Sequence, residues 1–87
     1  MIIENLTSNR SGRAVPNQFN IHFKGMNIFQ SYNTVIAAVK NKILYIDKDF
    51  YSRTTSKYKN IWLRDFARNY SEKKEISNGE LLKIIGV

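Results

Sequence analysis

Few side chains in this sequence are suited to chemistry at neutral pH. His22 is the only histidine, and the chain contains no cysteine. Disulfides, thiolate metal sites, thiol catalysis and any two-histidine metal site are therefore excluded. His22 also lies in an alternating segment among neutral and basic neighbours, which is a poor setting for a base that activates a serine or threonine.

The carboxylates suggest no catalytic pair. Asp47 and Asp49 stand two residues apart, but the sequence around them lacks the further oxygen ligands of a calcium loop. A turn before a helix is the role we expect for them. Glycine-rich phosphate loops and dinucleotide fingerprints are absent. We therefore predict that the protein is not an enzyme and uses no cofactor and no metal.

Positive charge is the main clue to function. The net charge is +7, and such a field favours anionic partners such as nucleic acid or an acidic protein surface. Five polar residues recur at helical spacing in the second half of the chain: Arg53, Lys57, Asn60, Arg64 and Arg68. We predict that they form one stripe that binds a partner. The alternative is an ordinary solvated helix face.

Two further surfaces are candidates. Arg10 and Arg13 flank Ser11 and Gly12 in a polar loop, where backbone N–H groups could surround an anion; a solvated turn is the alternative. The arginines join the stripe in our predicted partner-binding set. The second surface is the open face of a sheet, to which Asn20, His22, Gln30 and Tyr32 would contribute, and aromatic side chains on such a face can stack on bases. For Tyr32 we expect instead a ring packed into the fold, with its hydroxyl at the edge.

The element that must position the stripe is a helix predicted over residues 51–70. Its apolar residues fall within one arc at 100° per residue, which predicts a buried face opposite the cations. Ser52 and Thr54 are both good N-cap types. The members of the buried arc are Thr55, Tyr58, Trp62, Phe66 and Tyr70.

Alternating residues predict strands before this helix. Residues 2–6 favour a short strand, and residues 18–24 alternate with Phe19, Ile21 and Phe23 on one side and a solvated polar side opposite. A turn at Gly25 predicts a hairpin onto residues 28–32. Residues 34–47 predict a second hairpin, with apolar residues in both phases, as in a strand buried on both faces.

The C-terminal part divides into a connector and a helix. Residues 72–75, Glu-Lys-Lys-Glu, predict a charged connector. Ser77 and Glu80 match a capping box, with Ile76 and Leu81 as its hydrophobic staple, so a short helix should run from Asn78. Gly86 should end it.

These elements predict one α+β domain over residues 1–87. We expect a small antiparallel sheet of three or four strands, packed by one long helix, with a short C-terminal helix. No apolar run approaches the roughly 20 residues that cross a bilayer, and the N-terminus lacks the pattern of a signal peptide. We therefore expect a soluble protein of the cytoplasm.

Three blocks of the sequence resemble a family of small tailed-bacteriophage proteins of unknown function. The blocks are LTSNRSGRAVPNQF at 6–19, FQSY at 29–32 and YSRTTSKY at 51–58. The resemblance covers about the first two thirds of the chain and transfers no catalytic or binding residue. It implies a phage context, and hence the cytoplasm of a host.

This context predicts a non-enzymatic accessory protein that binds and inhibits a host macromolecule. The expected partner is a host protein or nucleoprotein complex, of the CRISPR type or another defence type. The alternative is direct binding of DNA or RNA by the basic helix face. A third class, a virion or scaffold component, would be expected to self-associate. The sequence does not determine the oligomeric state.

Overall fold

A six-stranded sheet forms the centre of the protein. The structure is a computed structural model and describes residues 1–8, 10–49 and 52–86. The strands are β1 (Ile2–Thr7), β2 (Ala14–Phe23), β3 (Met26–Ser31), β4 (Thr34–Lys40), β5 (Ile43–Asp47) and β6 (Glu72–Ile76). The helices are α1 (Arg53–Phe66), between β5 and β6, and α2 (Asn78–Ile85), after β6.

The order of the strands in the sheet follows the order of the chain. Strands β1 to β5 form an antiparallel meander, and β6 pairs in parallel with β5. Parallel neighbours need a crossover connection, and α1 provides it. The sheet is therefore mixed and has six strands. The prediction of a three- or four-stranded antiparallel sheet packed by one long helix is wrong.

The predicted hairpins are confirmed. Lys24 and Gly25 connect β2 to β3 with φ of 50° and 77°, and Asn41 and Lys42 connect β4 to β5 with φ of 52° and 64°. Two-residue turns with positive φ at both positions match the right-handed twist of antiparallel strands. Gly25 adopts such a φ without a Cβ clash.

Apolar side chains fill two separate cores on opposite faces of the sheet. Neighbouring residues such as Phe29 and Ile28 belong to different cores because successive strand residues point to opposite faces. The first core contains Trp62 of α1, and the second contains Leu81 of α2. The sheet therefore lies between the two helices, and the predicted burial of β4 on both faces is confirmed.

Helix α1 is shorter than predicted. Ser52 is its N-cap and accepts a hydrogen bond from the Thr55 N–H at 3.3 Å, while Ala67 is its C-cap. The chain leaves the helix there to reach the edge of β5, where the Ser71 N–H donates to the Lys42 carbonyl at 2.7 Å. Tyr51, the first residue of the predicted helix, lies outside the described residues.

Strand β6 replaces the predicted charged connector. All residues of β6 except Ile76 are exposed, and ion pairs join Lys74 to Glu72 at 3.4 Å and Lys73 to Glu75 at 3.9 Å. An edge strand exposed on both faces has no apolar alternation, so period-2 patterning does not reveal it. Its charges also discourage pairing with another chain.

Helix α2 confirms the prediction made from its capping box. Ser77 accepts a hydrogen bond from the Glu80 N–H at 3.2 Å, and Gly86 takes the left-handed conformation at φ 83°. No helix in the described part of the chain is long and apolar enough to span a membrane.

Asn78 attaches the start of α2 to the sheet. Its Nδ2 donates to the Val35 carbonyl and to Asp47 Oδ2, both at 2.8 Å, and Asp47 is only 4% exposed. We expect Asn78→Ala to lower the free energy of unfolding by about 1–3 kcal/mol, because buried acceptors lose a donor. Alanine favours a helix, so the loss would come from the amide contacts.

Urea unfolding followed by circular dichroism measures this effect. Gly79→Ala is the matched control, since a Cβ there meets no atom within 4 Å, and it should stabilise the protein by about 0.5–1 kcal/mol. Equal stability of Asn78→Ala and the wild type would contradict the role given to this amide.

Candidate binding surface

The outer side of α1 presents four of the predicted partner-binding residues together. Arg53, Lys57, Asn60 and Arg64 follow one another at spacings of four, three and four, which places them on one face of a helix. All four are exposed. We call this set the basic face. Over α1 it extends for about 16 Å at 1.5 Å per residue.

Arg68 does not belong to the helical stripe. It is exposed, but it follows the C-cap residue Ala67 and lies in the turn that leads to β6. Ala67 is itself buried in the first core. This contact fixes the position at which the helix ends and the turn begins. The prediction that five residues share one helix face is therefore wrong for Arg68.

One cation of the basic face is paired with a carboxylate. Arg64 Nε lies 2.8 Å from Asp65 Oδ1. Hydrogen bonding to Arg64 is the main cause that lowers the pKa of Asp65, and it also raises the pKa of the guanidinium. Lys57 instead places its Nζ 5.3 Å from the ring centroid of Tyr58, a cation–π distance. The basic face therefore carries less net charge near Arg64 than at its N-terminal end.

The lowered pKa of Asp65 predicts a small dependence of stability on pH. A carboxylate with a depressed folded-state pKa stabilises the fold above its ordinary pKa, and this contribution is lost as the pH falls below about 4. The pair is exposed, so the effect should be a shift of at most a few degrees in Tm. Comparing Tm at pH 7 and pH 3 for wild type and Asp65→Asn tests it. The variant should lose less on acidification, and an equal loss would contradict the assignment.

The loop between β1 and β2 holds the other two predicted arginines. Ser8 Oγ accepts a hydrogen bond from the Arg10 N–H at 3.2 Å, and Ser11 Oγ accepts one from the Arg13 N–H at 3.3 Å. The Gly12 N–H donates to the Ser8 carbonyl at 2.9 Å. The N–H groups of Arg10, Gly12 and Arg13 therefore have partners inside the loop and are not available to surround an anion. Any anion contact would come from the exposed arginine side chains.

The predicted open sheet face does not exist as one surface. Asn20 is 1% exposed and lies beneath α1, where its Oδ1 accepts a hydrogen bond from Trp62 Nε1 at 2.8 Å. His22 is exposed on the same sheet face and lies 3.3 Å from Asn27 Oδ1. Gln30 lies on the opposite face, because it pairs with Phe19 in the β2–β3 register. The prediction of a solvated polar side on β2 is therefore wrong.

The buried polar residues form a layer under the first half of α1. Gln18 pairs with Ser31 across β2 and β3, and Ser31 Oγ lies 3.3 Å from Thr55 Oγ1. Gln18 is 1% exposed, and its Oε1 has no hydrogen-bond partner among the described residues. The layer brings together Gln18, Ser31 and Thr55, which are distant in sequence.

Tyr32 follows this layer in the two-residue turn between β3 and β4. It has φ 54° and its side chain is 56% exposed, whereas we expected a ring packed into the fold. Its N–H donates to the Asn17 carbonyl at 2.7 Å, and its own carbonyl accepts from Gln30 Nε2 at 2.8 Å. A positive φ is uncommon for a bulky residue. Sequence periodicity gave no sign of this feature, since it depends on the turn between β3 and β4.

Two concave regions accompany these surfaces. One cavity of about 260 Å³ lies between the end of β5 and the start of α1 and includes Asp47, Asp49 and Lys59. Asp47 there accepts hydrogen bonds from the Asp49 N–H and from Asn78, which is the turn role we predicted. A groove of about 380 Å³ runs beside α2 and is lined mostly by apolar side chains. The described residues contain no group of three or more ligands suited to a metal ion.

Comparison with known proteins places the chain in a family of unknown function. Residues 1–78 match the family of unknown function DUF8033. Since the match covers most of the chain, the protein belongs to that family. The matched segment includes all six strands and α1, and it ends where α2 begins. No curated protein and no solved structure matches the chain.

Proposed function

We propose that this protein is a non-enzymatic accessory protein, of the tailed-phage kind that its sequence resembles, which binds and inhibits a host nucleoprotein in the host cytoplasm. The target we propose is a defence complex, such as one of the CRISPR type. The observation that carries the proposal is the basic face of α1. Its cations are exposed on a helix that is anchored to the sheet from its other side by Trp62.

The chemistry of the basic face supports an anionic target. Guanidinium groups pair with phosphates or carboxylates in bidentate geometry, and a net charge of +7 accelerates encounter with a negative surface. A helix whose inner side is packed in the core keeps its outer side chains at fixed spacing. Such a surface can inhibit a partner by covering its binding site, and this mode of inhibition requires no catalytic group.

Direct binding of DNA or RNA is the second candidate function. The exposed ring of Tyr32 favours it, because nucleic-acid-binding proteins stack bases on exposed aromatic side chains. Under this alternative the protein would bind isolated nucleic acid, and the affinity would fall steeply with added salt. A protein interface of standard size would lose much less affinity over the same range.

Affinity capture from host lysate, with and without nuclease treatment, tests the two candidates. A specific partner complex that is inhibited by the purified protein and stays bound after nuclease treatment supports the proposed function. A partner that is lost on nuclease treatment, with no complex that stays bound and is inhibited, supports the alternative. If the protein captures no complex and shifts no nucleic acid at low salt, both candidates are wrong.

A further inference from the structure

Tyr32 lies at the same end of the sheet as three exposed arginines. This end comprises the β1–β2 loop, the turn between β3 and β4, and the first turn of α1. Arg13 stands four residues before Asn17 on β2, or about 13 Å at 3.3 Å per residue, and Asn17 bonds the Tyr32 backbone. Arg53 shares the first turn of α1 with Thr55, which contacts Ser31, the neighbour of Tyr32. Tyr32, Arg10, Arg13 and Arg53 therefore lie at the same end of the sheet.

These cations are available for a ligand. Arg10, Arg13 and Arg53 are exposed, and no carboxylate in the described part of the chain forms an ion pair with them. Three acids lie at this end of the sheet, where β5 and β6 end: Asp47 is buried against Asn78, whereas Asp49 and Glu75 are exposed and line a cavity with Thr55. The region around Tyr32 thus combines positive charge with an exposed aromatic ring.

The backbone at Tyr32 is costly for a tyrosine. Residues with a Cβ are disfavoured at positive φ, and glycine or asparagine occupies such turn positions at lower cost. The hydrogen bonds from Gln30 and to Asn17 hold the backbone in place while the ring projects into solvent. Lys24, Asn41 and Lys42 take a similar φ in the other two hairpin turns, so the positive φ of Tyr32 belongs to its turn, and the exposure of its ring is what points to a use outside the fold. Since the exposed ring contributes little to either core, its use is expected to be external.

We infer that this end of the sheet binds unpaired nucleotides, with the Tyr32 ring stacked on a base and with Arg10, Arg13 and Arg53 contacting the phosphates. The inference deepens the proposed function and rests on it, because it names the nucleic acid of the target nucleoprotein as the component in contact. An aromatic platform flanked by cations is the arrangement by which proteins bind single strands without reading their sequence. Duplex DNA would not offer its base faces to the ring.

Binding of two matched probes by fluorescence anisotropy tests the inference. One probe is a labelled single-stranded oligothymidylate of about 16 nucleotides, within the usual size of such sites, and the other is an abasic strand of equal length and charge. We expect the wild type to prefer the oligothymidylate. Tyr32→Ala should weaken its binding by about tenfold and leave binding of the abasic strand unchanged. Tyr32→Phe and Tyr32→Trp should retain the preference.

Tyr32→Gly distinguishes a binding role of the ring from a role in stabilising the fold, because Tm and oligothymidylate binding should change in opposite directions. Glycine relieves the positive φ, so this variant should raise Tm by a few degrees while it weakens oligothymidylate binding as Tyr32→Ala does. A lower Tm would show that the fold itself needs the ring and would overturn the inference. So would Tyr32→Ala binding both probes as the wild type does.

The outcomes also separate this inference from the proposed function. If the Tyr32 variants still capture and inhibit the nucleoprotein, and the wild type has no preference for the oligothymidylate, the inference is wrong and the proposed function stands. If the wild type binds neither the nucleoprotein nor the oligothymidylate, both are wrong.

Discussion

Neutralising Arg53, Lys57, Arg64 and Arg68 with glutamine should slow association with an anionic target by about 10- to 1,000-fold at low salt. Electrostatic steering raises association rates by this amount when charges of one sign are grouped on a surface. Arg68 is included because it is exposed just beyond the helix end. Surface plasmon resonance at several salt concentrations, with the captured complex as the immobilised partner, measures the effect.

A variant with the same change in net charge is the control. Lys42, Lys73, Lys74 and Lys83 are exposed, and they lie on the β4–β5 turn, on β6 and on α2. Their replacement by glutamine should change association much less, because none of them lies on α1. Both variants should keep Tm within a few degrees of the wild type, as expected for surface substitutions. Equal slowing in the two variants would show that only the overall charge matters and would remove the basic face as a binding site.

Substitution of Trp62 should have the largest effect on stability. Its side chain is fully buried, its ring lies 5.9 Å from that of Phe29, and its Nε1–H donates to Asn20 Oδ1 at 2.8 Å. We expect Trp62→Ala to cost about 3–5 kcal/mol from the cavity alone. A domain of this length has a total stability of about 4–13 kcal/mol, so this variant should be close to unfolded at 25 °C.

Trp62→Phe isolates the hydrogen bond from the packing. It keeps an aromatic ring against Phe29 but removes the donor, so the Asn20 carbonyl oxygen loses its partner from α1. The expected loss is about 1–3 kcal/mol, measured by urea unfolding followed by circular dichroism, with an unchanged m-value. Tyr70→Ala, at an aromatic residue that is 41% exposed, should change the stability by less than about 0.5 kcal/mol. Equal stability of Trp62→Phe and the wild type would mean that the bond is not stabilising.

Local sequence signals predicted several elements correctly. The capping box at Ser77 and the glycine at position 86 located α2, because both act on the helix ends through neighbouring backbone groups. Turn residues located the hairpins at Gly25 and Asn41 for the same reason. Helical spacing placed Arg53 and Lys57 on the outer side of α1 and Trp62 on its inner side.

The errors have a common cause, which is that a residue's environment depends on what covers it. The polar side of β2 appeared to be solvated, yet α1 covers Asn20 and Gln18, and Trp62 donates a hydrogen bond to the former. Strand β6 appeared to be a connector because its identity comes from pairing with β5, 29 residues earlier along the chain. Arg68 was placed on the helix because periodicity does not show where the chain must turn back to the sheet.

The sequence by itself determined the basic character of the protein, the inner and outer sides of α1, and its lack of cysteine and of a second histidine. These follow from composition and from short-range spacing, which need no tertiary contact. Only the tertiary structure decided that Tyr32 projects into solvent at positive φ, at the same end of the sheet as Arg13 and Arg53. The reason is that the turn is held by hydrogen bonds to Asn17 and Gln30, and α1 is brought to it by the contact between Ser31 and Thr55. Long-range contacts of this kind leave no periodic pattern in the sequence.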